Sequence, residues 1–186
     1  MKKIVPIVSL SIIGLLIITI LIMFFAPASH ACEIHRPEEI QIYINSSNEK
    51  TISADYENRE YYDTVMNKLD ESFKERALTA LFNGRLGQKA ELKETSGSIT
   101  MSNGVYVVLS YNNNAITYKN GNNKISAVYV AFELVETSGF ESVNAYLIEK
   151  EEDVTSTKMK YHYYYSMQGD TKDLYDYVKN NLYNAL

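Results

Sequence analysis

The chain has 186 residues, 46% of them hydrophobic, with 18 Lys and Arg against 23 Asp and Glu and a formal net charge of −5. Lys2-Lys3 is its only basic start, and no run of basic residues follows. This excludes a nucleic-acid binder, whose affinity rests on clustered Lys and Arg, and disfavours adsorption to an anionic lipid surface. A single cysteine excludes any internal disulfide.

Ile4 to Ala26 is almost wholly apolar (IVPIVSLSIIGLLIITILIMFFA), within an uncharged run that ends at Cys32. At about 1.5 Å per residue, a helix over this segment reaches roughly 30 Å, enough to cross the hydrocarbon core of a bilayer. Pro6 lies near the start of the run, where a helix tolerates it. The stretch exceeds the roughly 7–15 apolar residues of a signal peptide, so an uncleaved transmembrane anchor over residues 4–26 is expected. Lys2 and Lys3 precede it, and Glu33, Arg36, Glu38 and Glu39 follow. That asymmetry places residues 1–3 in the cytoplasm and the rest of this single-pass chain outside. The alternative is cleavage near Ala31 at the small-x-small site Ser29-His30-Ala31, which would release a secreted or wall-associated ligand binder, with a saccharide as one ligand class. Ser29 and His30 depart from a bacterial lipobox, which argues against a lipidated Cys32. The richness in Asn, Lys, Ile and Tyr, with no Trp, suits an AT-rich bacterial genome and a bacterial envelope.

Residues 27–38, with Pro27 and Pro37 and no periodicity, read as a stalk. His30, Cys32 and His35 have ligand-like spacing, but three donors without a fourth fall short of a structural zinc site. No metal or other cofactor is expected. Cys32 is a candidate for an intermolecular disulfide with a second copy.

Residues 39–186 read as a single α+β domain. Glu39 to Asn45 alternates, with Ile40, Ile42 and Ile44 on one face of a strand, and Thr51 to Ala54 pairs back. From Asn58 to Phe82, Tyr62, Val65, Met66, Leu69, Phe73, Ala77, Ala80 and Leu81 form one apolar stripe of a long helix stopped by Gly84. Val105 to Tyr111, a hairpin at Asn120-Gly121, Ile125 to Val135, Val143 to Ile148 and Lys158 to Met167 read as an antiparallel meander. Pieces between Gly87 and Met101 add an edge strand, and Asn112 to Asn114 turns. A last helix starts at Asp170, with Leu174, Tyr177, Val178 and Leu182 on its apolar face. The sum is one antiparallel sheet of about five to seven strands, with a long amphipathic helix and a C-terminal helix packed on one face.

Chemistry-bearing motifs are sparse. No Gly-x-Ser-x-Gly and no phosphate-binding loop occur, so the domain is read as non-catalytic. Glu133, in the middle of an apolar strand, and His162 are the residues an enzyme would have to use, and Glu133 is expected on the solvent face with Ala131 and Tyr129. Strict alternation puts Tyr161, Tyr163 and Tyr165 on one face with Met159 and Met167, the pattern of a strand that packs on a helix, or else a platform for a sugar or a partner protein. The expected role is therefore a membrane-held binding module, its partner a protein or an envelope component.

Overall fold

In a computed structural model, the described residues are 4–44, 48–53, 57–101, 104–111, 115–120, 123–155 and 158–182. The expected turns at 112–114 and 121–122, and the cytoplasmic end at 1–3, lie outside them. The chain forms two compact units, Met1–His30 with Lys74–Gln88, and Ala31–Phe73 with Lys89–Leu186. The single domain read over 39–186 is thus interrupted by a segment that belongs with the N-terminal residues.

The first unit begins with helix α1, Ile4–Phe25, 22 residues long. Its side chains are described from Ser11 onward, and Leu15, Leu16, Ile17 and their apolar neighbours stand exposed. Among the residues whose side chains are described, which take in only Ser11 to Phe25 of α1, no helix is long and apolar enough to cross a membrane. Strand β1, Pro27–Ser29, follows at once, so the start of the expected stalk is ordered.

The second unit opens with β2 (Glu39–Ile44) and β3 (Asn48–Ser53), then helix α2, Arg59–Ser72. Tyr62, Val65, Met66 and Leu69 are buried on α2, as the stripe predicts. The helix does not continue to Phe82. The Ser72 carbonyl accepts the Asp170 N–H at 2.8 Å instead of a bond from the next turn, and the buried Phe73 ring lies 6.0 Å from Phe132. This tertiary demand overrides a helical propensity that is only a weak prior. Beyond the break, Lys74–Arg76 forms strand β4 and Ala77–Phe82 a separate short helix, α3, both in the first unit. There β1 and β4 pair antiparallel, with Ala28 opposite Glu75. Gly84, at φ 68°, ends α3 in the left-handed conformation its lack of a side chain permits.

The remaining strands are β5 (Glu91–Thr100), β6 (Val105–Ser110), β7 (Ile116–Asn120), β8 (Asn123–Ala127), β9 (Tyr129–Leu134), β10 (Glu141–Ile148) and β11 (Lys158–Gly169). Five of them join β2 and β3 in one seven-stranded antiparallel sheet, in the order β3-β2-β6-β9-β10-β11-β5, with β3 and β5 at its ends. The segment read as one strand, Ile125 to Val135, is divided at Val128. Its first part, β8, pairs only with β7 in a separate hairpin, while β9 enters the sheet between β6 and β10. The C-terminal helix α4, Lys172–Tyr177, runs on through a π turn at Val178–Leu182. The helix starts later than the expected Asp170, with Thr171 at its N-cap position, and the Asp170 carboxylate accepts the Lys172 N–H at 3.3 Å.

Both helices pack on the same face. Tyr62, Val65, Met66 and Leu69 of α2 and Leu174, Val178 and Leu182 of the last helix share one core with Ile40, Val107, Phe132, Ala145 and Met167. The other face carries a second apolar cluster built by the sheet itself and by the chain just after β5: Tyr43, Met101, Tyr106, Val108, Ala131, Tyr146, Ile148 and Met159. Every residue of β6 is buried in consequence, and its unbroken run Val-Tyr-Val-Val-Leu-Ser is the pattern of a strand covered on both sides.

Candidate functional site

The second sheet face gathers most of the polar chemistry of the larger unit. Alternation along β9 sends Val130, Phe132 and Leu134 into the helix-covered core and leaves Tyr129, Ala131 and Glu133 on the other side. Glu133 lies directly opposite Tyr106 of β6 in the strand register. Tyr146 of β10 donates its hydroxyl to Glu133 Oε2 at 3.2 Å, and Asn144 Nδ2 donates to the Tyr146 hydroxyl at 3.3 Å. The Tyr146 ring lies 4.6 Å from that of Tyr161 and 5.9 Å from that of Tyr164, while Tyr161 and Tyr164 stand edge to face at 6.0 Å. Nearby on β2, the Tyr43 hydroxyl donates to Gln41 Oε1 at 3.2 Å.

Burial grades across this face. Tyr43, Tyr106 and Tyr146 are buried, whereas Glu133, Tyr129, Tyr161 and Tyr164 are half-buried. The half-buried set is a strip of aromatic rings and one carboxylate on the same sheet face, side chains that combine apolar surface with polar tips. Burial pushes the Tyr106 phenol up to about 12, with the Glu133 charge beside it adding to the shift. Burial, followed by the same charge, raises Tyr146 as well. Both phenols therefore stay protonated at neutral pH, and Tyr146 serves Glu133 as a donor.

Alternation holds along β11 for Tyr163, Tyr165 and Met167 on one face and Tyr164 on the other, but misplaces Tyr161 and Met159. Tyr161 and Tyr164 belong to the second face, and Tyr163 and Tyr165 pack against the helix-covered core. The β11–β5 register shifts at the same place. It runs from Tyr161 opposite Gly97 to Tyr163 opposite Glu94, so β5 carries one extra residue there. Such an irregularity bends and twists the strands locally and breaks a simple period of two. Gly97 makes room for the result: a Cβ at that position would stand 2.6 Å from the Tyr161 hydroxyl oxygen. Tyr165 sits 5.7 Å from the Tyr118 ring, and burial raises its phenol. His162 falls at the irregularity, exposed, with its Nδ1 2.7 Å from Ser96 Oγ and away from Glu133's hydrogen-bond partners.

The remaining sequence candidates are placed elsewhere. Cys32 is partly buried against the helix-covered core, and its backbone N–H points at Met167 Sδ, 3.2 Å away. Burial pushes its thiol up to about 12. His35 stacks edge to face on Tyr118 at 6.3 Å. His30 is not part of a loose linker: it is 1% exposed, with Nε2 3.3 Å from Glu75 and Nδ1 3.4 Å from the Gln88 carbonyl oxygen. Among the described residues, no group of three His, Cys, Asp or Glu is arranged to hold a metal ion.

Sequence reasoning missed Tyr106 and Tyr146. The signal was present in β6, where Tyr106 and Val108 are apolar between inward-facing Val105, Val107 and Leu109, a sign of two covered faces. No protein-family model, curated protein or solved structure matches this chain.

Proposed function

We propose that the protein is a membrane-anchored binding module whose α+β domain stands outside a bacterial cell and engages a partner protein or an envelope component without catalysis. The observation that carries this reading is α1. Its helical backbone runs from Ile4 to Phe25 with no charged residue, and its described large apolar side chains are exposed. A helix apolar on every side is one that belongs inside a protein core or a bilayer. Twenty-two residues reach about 33 Å, the thickness of a hydrocarbon core. The face that would meet a partner is the strip of Tyr129, Tyr161, Tyr164 and Glu133.

Cleavage near Ala31 would remove β1, the strand that pairs with β4, and the His30 ring beside buried Glu75. This favours retention of the anchor over secretion. Protease shaving of intact cells, followed by fractionation and mass measurement of the native chain, tests the reading. Full-length protein in the membrane fraction, trimmed from outside, is expected. A protein in the medium that begins near Cys32 overturns the anchor and favours a released saccharide binder. In that case, saccharide pull-down lost with Tyr161→Ala and Tyr164→Ala would assign the same strip to the ligand.

A further inference from the structure

We infer that the segment Lys74–Gln88 is a second membrane contact, with α3 lying in the interface of the bilayer beside the end of α1; the inference rests on the anchor reading above. The argument begins with a hydrogen bond. Ala77, the first residue of α3, donates its N–H to the carbonyl of Ala26 at 2.8 Å. Ala26 is the last residue of the apolar run, one position beyond the end of α1. If α1 spans the hydrocarbon core, Ala26 marks its surface, and α3 starts at the same depth.

What α3 displays at that depth is apolar. It turns Ala77 and Ala80 inward and leaves Leu81 at 46% and Phe82 at 81% exposed, followed by Leu86 at 43%. On α1, Phe25 is 78% exposed and Phe24 42%. Large apolar side chains exposed together on one small unit mark a surface meant to be covered. The first unit is compact and contains both helices, so this patch is continuous with the exposed surface of α1. The cover that suits α1 is lipid, and the same cover extends over α3. A basic side chain at the end of a span, its stem over apolar surface and its charged head toward water, is a pattern of the membrane–water boundary. Here the Arg76 guanidinium lies over the Phe24 ring, 5.3 Å from its centroid. The attraction is apolar insertion, as for interfacial helices, and requires no anionic lipid.

The placement is held firmly. β4 pairs with β1 over three residue pairs, from Pro27 with Arg76 to Ser29 with Lys74. Below them, buried Glu75 accepts Arg85 Nε at 3.0 Å and sits 3.3 Å from His30 Nε2. These contacts lock the turn after α3 to the residues leaving α1, so the exposed Leu81 and Phe82 cannot rotate inward without breaking them.

The chain contains no tryptophan, so one introduced indole reports its own surroundings. Full-length Phe82→Trp and, separately, Leu15→Trp are reconstituted into phosphatidylcholine vesicles with brominated acyl chains. Emission from Phe82→Trp is expected to shift to the blue and to be quenched most by bromines near the headgroups. Leu15→Trp should be quenched most by bromines deep in the chains. Quenched Leu15→Trp beside a water-exposed, unquenched Phe82→Trp overturns the second contact and leaves the anchor standing. A blue-shifted but unquenched Phe82→Trp means that protein, a second copy or a partner, covers α3, and also overturns it. Leu15→Trp unquenched overturns the anchor and the second contact together.

Discussion

Tyr106 and Glu133 face each other across neighbouring strands, and the carboxylate adds to the burial that holds the phenol at about 12. An unfolded tyrosine titrates near 10. The folded value is the higher one, so the stabilising effect is complete below pH ~10 and is lost as pH rises toward about 12. Stability measured by denaturant across that window should therefore fall with pH. In Tyr106→Phe the fall should be shallower. An identical slope in the variant would mean that this phenol ionises as readily in the fold as out of it.

Glu133→Gln keeps an oxygen that can accept from Tyr146 and removes the charge. Burial outranks that charge as the cause of the raised Tyr106 and Tyr146 values. Phenolate absorbance followed through an alkaline titration should thus show these groups ionising somewhat earlier, while still later than exposed tyrosines. No movement at all would mean that the charge does not reach the phenols. A collapse to ordinary behaviour would mean that the charge, not burial, dominates.

Two glycines test how tightly the sheet is closed. A Cβ at Gly169 would stand 2.7 Å from the buried Phe73 ring and 3.2 Å from the Ser72 carbonyl oxygen, atoms that cannot easily move. A Cβ at Gly97 meets the far end of Tyr161, a half-buried side chain. Overpacking of this kind costs about 1–3 kcal/mol. Gly169→Ala should fall near the top of that range and Gly97→Ala near the bottom. Denaturant midpoints give the order, and adding Tyr161→Ala to Gly97→Ala should remove most of the strain from the latter. The reverse order would show that the aromatic strip is the more rigid of the two places.

Much of the larger unit was legible because its code is local. Ile40 and Ile42 alternate on β2, and Tyr62, Val65, Met66 and Leu69 recur at helical spacing; each reaches the core that its period assigns. Failures came where a distant contact decides. The helical stripe continues past Phe73 in sequence, yet the Asp170 N–H takes the Ser72 carbonyl and the helix stops. Tyr161 and Tyr163 are two residues apart, as on any strand, yet they join different clusters at the place where the pairing with β5 shifts register. The strip around Glu133 draws on β6, β9, β10 and β11, so no short motif could announce it. His30 read as a linker residue because its partner, Glu75, is far along the chain.

That partnership gives the most direct test of the smaller unit. Glu75 is 6% exposed, yet Arg85 grips both its oxygens, with Nε at 3.0 Å from one and Nη2 close to the other. The Arg85 hydrogen bonds are the main reason its carboxyl is held below the usual range; Asn83 and His30 add to the effect against the opposing pull of burial. With a lowered folded value, this stabilisation is complete above the unfolded carboxyl value and fades as pH falls through the folded one. Arg85→Ala leaves a buried carboxylate short of its main donor, which costs about 1–3 kcal/mol or more. Because β4 pairs with β1, and no other strand, the loss should appear locally, as faster amide exchange at Ala28, Glu75 and Arg76. Exchange in β6 and β9, within the larger unit, should stay slow. In the wild type, the same amides should loosen first on acidification. Uniform loosening of the whole chain in Arg85→Ala would instead make the two units one cooperative structure.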